Sequence, residues 1–261
     1  MNAATVVKPS LEEWAAIYLH RKVWSQGFFV PASVDVDVTP IVERFSGSAT
    51  PAPFAAILLK AIALMGARNP SVNQMVFNTF YGTRVLKMGK VSVSLPMTFT
   101  EDGRTRARIE VIESPHELSL AEIRDRIRKL KVRELSPSSL FRFCADRPNT
   151  LLNRLRIKLM VTLLFQFPGL VAKRGGAALA LSSLLHLGEE GFQLRATALS
   201  PCALSFSVGA LYRSNEGRSI LPLGICYNHL ACRGDEAYAA VKDLWSILTG
   251  RGPGGFDDLL R

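Results

Sequence analysis

The sequence predicts one α/β domain built on a mixed sheet. Three observations lead there. Segments with the alternation or unbroken apolarity of strands are interleaved with segments of helical period. Hydrophobic residues make up 48% of the 261, enough for a large core without disulfide or metal support. No internal repeat, low-complexity tract or linker divides the chain, and the Pro/Gly-rich stretch at 250–255 is too short to separate domains.

The elements follow in order. Ser10 with Glu13 is a capping-box signature, opening a helix to about His20. Val34 to Val38 alternates apolar and acidic residues, as a half-buried strand does. Residues 52–68 carry a helical apolar pattern (Phe54, Ile57, Leu58, Ala61, Ile62, Met65), stopped by Asn69-Pro70. Strands are expected at 72–78 and 91–99, then a turn at 101–103 into a strand from Thr105 to Ile112. Residues 117–133 form an amphipathic helix with Leu120, Ile123, Ile127 and Leu130 on one face and a basic remainder, the usual look of a solvated surface. Residues 137–168 are helical but irregular. Strands near 177–182, 203–212 and 219–228 precede a last helix from Gly234 to Leu248.

Composition narrows the classes. The first ten residues lack the apolar core of a signal peptide. The run Leu159 to Phe167 is far shorter than the roughly 20 residues of a membrane span. A cytoplasmic protein without a membrane span is therefore expected. Cys144, Cys202, Cys226 and Cys232 form no Cys-x-x-Cys pair and are expected to stay reduced. Cys226, His229 and Cys232 stand at three-residue intervals, but three residues are an incomplete zinc set, so no metal is expected. The net charge of +10 points to an anionic partner. No nucleic-acid-binding motif accompanies it, and nucleic acid is not expected. Phosphates of coenzyme A, an acidic acyl carrier protein, or a plain solvated surface would each suit the charge.

The carboxy-terminal third is the most informative. The apolar strand Ile220 to Tyr227 ends at Asn228-His229, and Gly234 opens a helix. A histidine at the end of a buried strand suits general-base chemistry near neutral pH. A lone histidine there is nevertheless more often structural. Ser182-Ser183 ends the strand from Ala177 to Leu181; a hydroxyl at that place can donate to an oxyanion, though turn formation is its commoner role. No Gly-x-Ser-x-Gly elbow is present, so Ser182 is not read as a nucleophile. His20, His116 and His186 have no comparable setting.

Several segments, in order, resemble the catalytic domain of the 2-oxo acid dehydrogenase (dihydrolipoamide) acyltransferases, which share a fold with chloramphenicol acetyltransferase. Arg21-Lys22 is similar to the basic pair that opens that domain. Val34 to Thr39 resembles its first strand and turn. Residues 55–73, ending Asn69-Pro70-Ser71-Val72-Asn73, resemble its long helix and the following strand. Gly175 to Ser183 and on to Gly188 is similar to its "gly-gly-x-phe-thr-ile-ser" strand. Pro201 to Gly209 is similar to a further strand, and Leu221 to His229 to the strand carrying the catalytic histidine. There the family's His-x-x-x-Asp-Gly motif reads His229-Leu230-Ala231-Cys232-Arg233-Gly234. The resemblance spans roughly residues 18–250, apart from an insertion-like region at 137–174.

The resemblance implies a two-layer α/β sandwich with a mixed sheet, assembled as a homotrimer. It implies acyl transfer from a thioester donor, acyl-coenzyme A or an acyl carrier protein, to a small-molecule hydroxyl or thiol, with no tightly bound cofactor. His229 would be the general base and Ser182 would hold the oxyanion. The sequence lacks a lipoyl domain and its lysine hairpin, so a free-standing relative is implied. Arg233 replaces the motif aspartate; with Gly234 and Asp235 it is expected to support the histidine loop, Asp235 being its candidate partner. Within the insertion, Leu151, Leu152, Leu155, Leu159, Leu163 and Phe167 are expected to pack on the body with Arg154, Arg156 and Lys158 outward; a docking surface for an acidic carrier is the alternative. Two further readings compete: a catalytically inactive relative that binds or assembles, favoured by Arg233, and a membrane-surface or nucleic-acid-binding protein, resting on charge alone.

Overall fold

Ser10 opens the first helix, α1 (Leu11–Trp24), by a reciprocal cap: its hydroxyl accepts from Glu13 N at 3.1 Å and the Glu13 carboxylate accepts from Ser10 N at 2.7 Å. The computed structural model describes residues 9–46, 52–101, 104–132, 143–144, 147–173, 176–183, 185 and 201–260. Asp102 and Gly103 of the expected turn, Arg133, residues 137–142, Gly175, His186 and Gly188 lie outside these.

After α1 come β1 (Phe29–Asp37), α2 (Thr39–Phe45) and α3 (Phe54–Arg68). Four strands follow: β2 (Gln74–Thr79), β3 (Gly82–Lys87), β4 (Ser92–Glu101) and β5 (Arg104–Glu113). Then come α4 (Leu120–Val132), α5 (Leu151–Gln166) and α6 (Pro168–Lys173). The chain ends with β6 (Leu179–Ser183), β7 (Leu204–Val208), β8 (Tyr212–Arg213), β9 (Ser219–Asn228), α7 (Gly234–Leu248) and α8 (Asp257–Leu260). The principal sheet has the order β1-β9-β7-β6-β4-β5, with β8 pairing β9. β4, β6 and β7 run parallel and the other pairings are antiparallel, so the sheet is mixed as expected. β2 and β3 form a separate hairpin.

The first helix runs on to Trp24, past the expected end near His20, and the strand expected over 203–212 is divided into β7 and β8; three further differences have physical reasons. β1 begins at Phe29, because its first half is an exposed edge containing Pro31 and shows no alternation. β2 begins at Gln74, because Pro70–Val72 close a 3-10 turn after α3. β3 was not anticipated: it is exposed nearly throughout, and Gly82 supplies the positive φ of +97° that turns the hairpin.

The main core lies on one face of the sheet. α3 is buried almost all round and sits beside α4 and α7, while Leu204, Phe206 and Val208 of β7 meet this layer from below. Gly66 of α3 lets the helix lie close to the sheet there: an added Cβ would stand 2.6 Å from Leu179 Cδ1, which would have to shift. The opposite face carries the small side chains Ala178, Ser205, Ser207 and Cys226. At one end a second cluster covers it, formed by α1, α5 and the β2–β3 hairpin through Leu11, Val23, Phe77, Ile157 and Phe165. No helix among the described residues is long and apolar enough to cross a membrane.

Candidate active site

β9 is a central strand, held by β1 on one side and β7 on the other, and it delivers His229 at its end. The turn that follows is tightly fixed. Asn228 N donates to Ala203 O at 2.9 Å, closing the ladder. The Asn228 side-chain oxygen accepts from Leu230 N at 3.1 Å, and its backbone carbonyl accepts from Ala231 N and Cys232 N at 2.9 and 3.0 Å. Gln74 Nε2 donates to Ala231 O. His229 N donates to Phe28 O at 2.8 Å. Asn228 is fully buried, and its Nδ2 has no partner among the described residues. Gly27 lies over that amide: a Cβ added there would come within 2.2 Å of Asn228 Nδ2. Asn228, Gln74, Gly27 and Phe28 were not singled out in the sequence. Only the asparagine beside a strand end, a common turn former, was a usable signal.

The backbone of His229 is anchored, but its side chain is exposed. The imidazole lies between Phe28 and Tyr227, with ring centroids 6.4 and 5.8 Å away. Phe28 is itself 64% exposed. An imidazole anchored at its backbone and open on its ring side, against an uncovered aromatic, can meet an incoming molecule directly.

Ser182 lies on β6, in register with Ser207 of β7, which is in register with Gly224 of β9. Gly224 also faces Ser33 of β1, so Ser33, Ser207 and Ser182 share one level on the face away from α3. His229 lies five residues farther along β9 and two strands across. At about 3.3 Å per residue and 4.8 Å per strand, this separates it from Ser182 by roughly 20 Å. One chain therefore does not bring the two together.

Arg233 forks onto Asp235, with Nε to Oδ1 at 3.2 Å and NH2 to Oδ2 at 3.1 Å. Both side chains are largely exposed, and such pairs contribute little to stability. Its backbone N–H donates to the Glu236 carboxylate at 2.8 Å, which caps α7. A Cβ on Gly234 would stand 3.8 Å from the Tyr227 hydroxyl, an ordinary contact. The evenly spaced Cys226, His229 and Cys232 diverge. Cys226 points into the cluster around α1 and α5, Cys232 into the main core, and His229 outward. Burial pushes the two thiols up to about 11 and about 12. Among the described residues no group of His, Cys, Asp or Glu is placed to hold a metal.

Known proteins with this arrangement are found by structure alone. No family model and no curated protein matches the sequence. A truncated catalytic core of the 2-oxoacid dehydrogenase multienzyme complex from Thermoplasma acidophilum superposes with a TM-score of 0.66, at 14% identity over 96% of this chain and 100% of that one. The fold is that of the acyltransferase cores. A dihydrolipoamide acetyltransferase of Azotobacter vinelandii gives 0.64, at 18% identity over 94% of this chain and 91% of that one; a serine, a histidine and an asparagine were investigated there for roles in the catalytic mechanism. Chloramphenicol acetyltransferase gives 0.50, at 13% identity over 91% and 94% of the two chains. In the Azotobacter enzyme the asparagine lies four residues after the histidine. Four residues after His229 stands Arg233.

Proposed function

We propose that this chain transfers an acyl group from a thioester donor, coenzyme A or an acyl carrier protein, to the hydroxyl or thiol of a small molecule. The observation that carries the reading is His229: an open imidazole, backbone-anchored at the end of a central strand, in the fold of acyltransferases. His229 takes the proton of the acceptor as its oxygen or sulfur attacks the thioester carbonyl. The resulting oxyanion is held by the Ser182 hydroxyl. Collapse expels the donor thiolate, which recovers the proton from the imidazolium. No acyl-enzyme forms and no bound cofactor takes part.

The separation of about 20 Å within one chain means that this Ser182 and His229 serve different sites. A second copy supplies the missing partner, which accords with a homotrimer having its sites between subunits. Arg233, Gly234 and Asp235 open the helix that follows the histidine turn, with Arg233 paired to Asp235 and capped by Glu236.

Arg233 also favours a second reading, a relative that binds or assembles without transfer. Intact-mass screening of acyl transfer from several coenzyme A and carrier-protein donors separates the two. His229→Ala should lower transfer by about 10²–10⁴-fold, and Ser182→Ala by on the order of 10²-fold. Mixing the two inactive variants under exchange conditions should restore part of the activity, since some mixed sites then hold both intact residues. Near-normal activity in His229→Ala removes the mechanism. Absence of any transfer across all donors favours the binding relative.

A further inference from the structure

Helix α5 is apolar on the side that faces the protein and equally apolar on the side that faces away. Its body-facing residues Asn153, Ile157, Val161 and Phe165 recur every four positions and are buried. Its outward arc, at 100° per residue, consists of seven positions. Five of them are Leu151, Leu152, Leu155, Leu159 and Leu163, all exposed, from 43% at Leu163 to 74% at Leu151. Thr162 and Gln166 complete the arc, and Gln166 already accepts a hydrogen bond from Phe80 N at 2.6 Å. That bond brings the tip of the β2–β3 hairpin, where Phe80 and Tyr81 are 82% and 80% exposed, to the end of the leucine arc. The helix thus has a second apolar face besides the one already packed on the body, and a contiguous apolar face of this extent marks an interaction surface.

The charges on its borders identify the partner. Exposed Arg156 and Lys158 flank the leucine arc on opposite sides of the helix. From Arg147 to Gly188 the sequence contains six lysines or arginines and no aspartate or glutamate. The hairpin from Gln74 to Lys87 is likewise free of acids. We propose that this face docks on an anionic lipid surface, with α5 lying in the interface plane, its leucines in the acyl region and its cations at the headgroups. Leucine on one arc with Lys and Arg along both borders is the composition of interfacial helices. The inference does not depend on acyl transfer.

The test is co-sedimentation of the whole chain with vesicles of phosphatidylcholine alone and of phosphatidylcholine with an equal part of phosphatidylglycerol, at physiological salt. The parent should bind the mixed vesicles at least about tenfold more tightly than the neutral ones. Arg156→Ala and Lys158→Ala should each weaken binding about fivefold. The charge-neutral pair Leu155→Gln and Leu159→Gln should weaken it by on the order of tenfold or more while leaving the melting curve in place, because both residues are exposed. Undiminished binding by the leucine pair overturns the proposal, since charge alone would then explain adsorption. So does failure of the parent to bind mixed vesicles. A lower oligomeric mass of the leucine pair by light scattering overturns it in favour of a contact between copies. Capture of an acyl carrier protein that the leucine pair loses, without vesicle binding by the parent, overturns it in favour of a protein partner.

Discussion

The residues that hold the histidine turn are not those its sequence motif emphasises. Arg233 is exposed and, among the described residues, pairs with surface acids, so Arg233→Ala should change unfolding free energy by no more than about 0.5 kcal/mol. Gly27→Ala should cost about 1–3 kcal/mol or more, because the new methyl group overlaps the buried Asn228 amide. Urea denaturation of the two variants side by side checks this, and a larger effect from Arg233→Ala would return the turn to the motif. Asp37 supplies a pH-dependent counterpart at the far end of β1. Hydrogen bonds from Thr39 hold its carboxyl below the ordinary value, with the Arg218 guanidinium 3.6 Å away adding to them against the effect of burial. A carboxyl depressed in the folded state contributes fully above its unfolded pKa and loses that contribution as pH falls through the depressed value. Asp37→Ala should therefore cost a few tenths to about 1 kcal/mol near neutral pH. The gap from the parent should narrow in urea melts below about pH 4. The place of His229 just past the end of β9 was legible because polar residues end an apolar run. The contact of Gly27 with Asn228 was not, because it depends on two segments two hundred residues apart in sequence.

At the scale of the element, most strands and helices were readable because burial on one side leaves a period in the sequence. α7 spans the expected Gly234 to Leu248, and α4 starts at Leu120 behind a Ser119–Glu122 capping box. α5 shows where that reading fails. Its leucines and Phe167 are expected to pack and Arg154, Arg156 and Lys158 to face solvent; Arg156 and Lys158 do so, but the leucines and Phe167 are exposed as well, and a leaner set, Asn153, Ile157, Val161 and Phe165, faces the body. With apolar residues on both arcs, no phase of the helical period is favoured, and only the tertiary contacts with α1 and β2 choose one. Ile157→Ala should thus cost about 2–4 kcal/mol, whereas Leu155→Ala should stay within about 0.5 kcal/mol of the parent. Thermal or urea melts that reverse this order would turn the helix over. β3 was missed for the opposite reason, since an exposed hairpin strand has no buried face to write into the sequence.

For the whole molecule, the burial of every cysteine gives a global probe of integrity. Burial pushes the thiols of Cys144 and Cys226 up to about 11 and that of Cys232 up to about 12, and Cys202 is buried with them. A thiol reagent at pH 8 should find none of the four in the native protein and all four in denaturant. Rapid labelling of one in the native state would locate an opening of its cluster. The sheet order was not legible in the sequence, because β1-β9 and β6-β7-β9 neighbours are chosen by long-range pairing, and periodicity records only that a strand has a buried face.

That order has a consequence for how the chain is made. β1 leaves the ribosome nearly two hundred residues ahead of β9, the strand it must pair with. At roughly 5–20 residues per second this is an interval of about 10–40 s. Throughout it, β1 is a nascent strand with both edges free, and β7 waits for the same late partner. Pro31, which donates no hydrogen bond, makes β1 a poor template for a stranger during that wait. Synthesis cut short before Ser219 would release a chain whose sheet lacks the strand that joins β1 to β7, a product for quality control to clear.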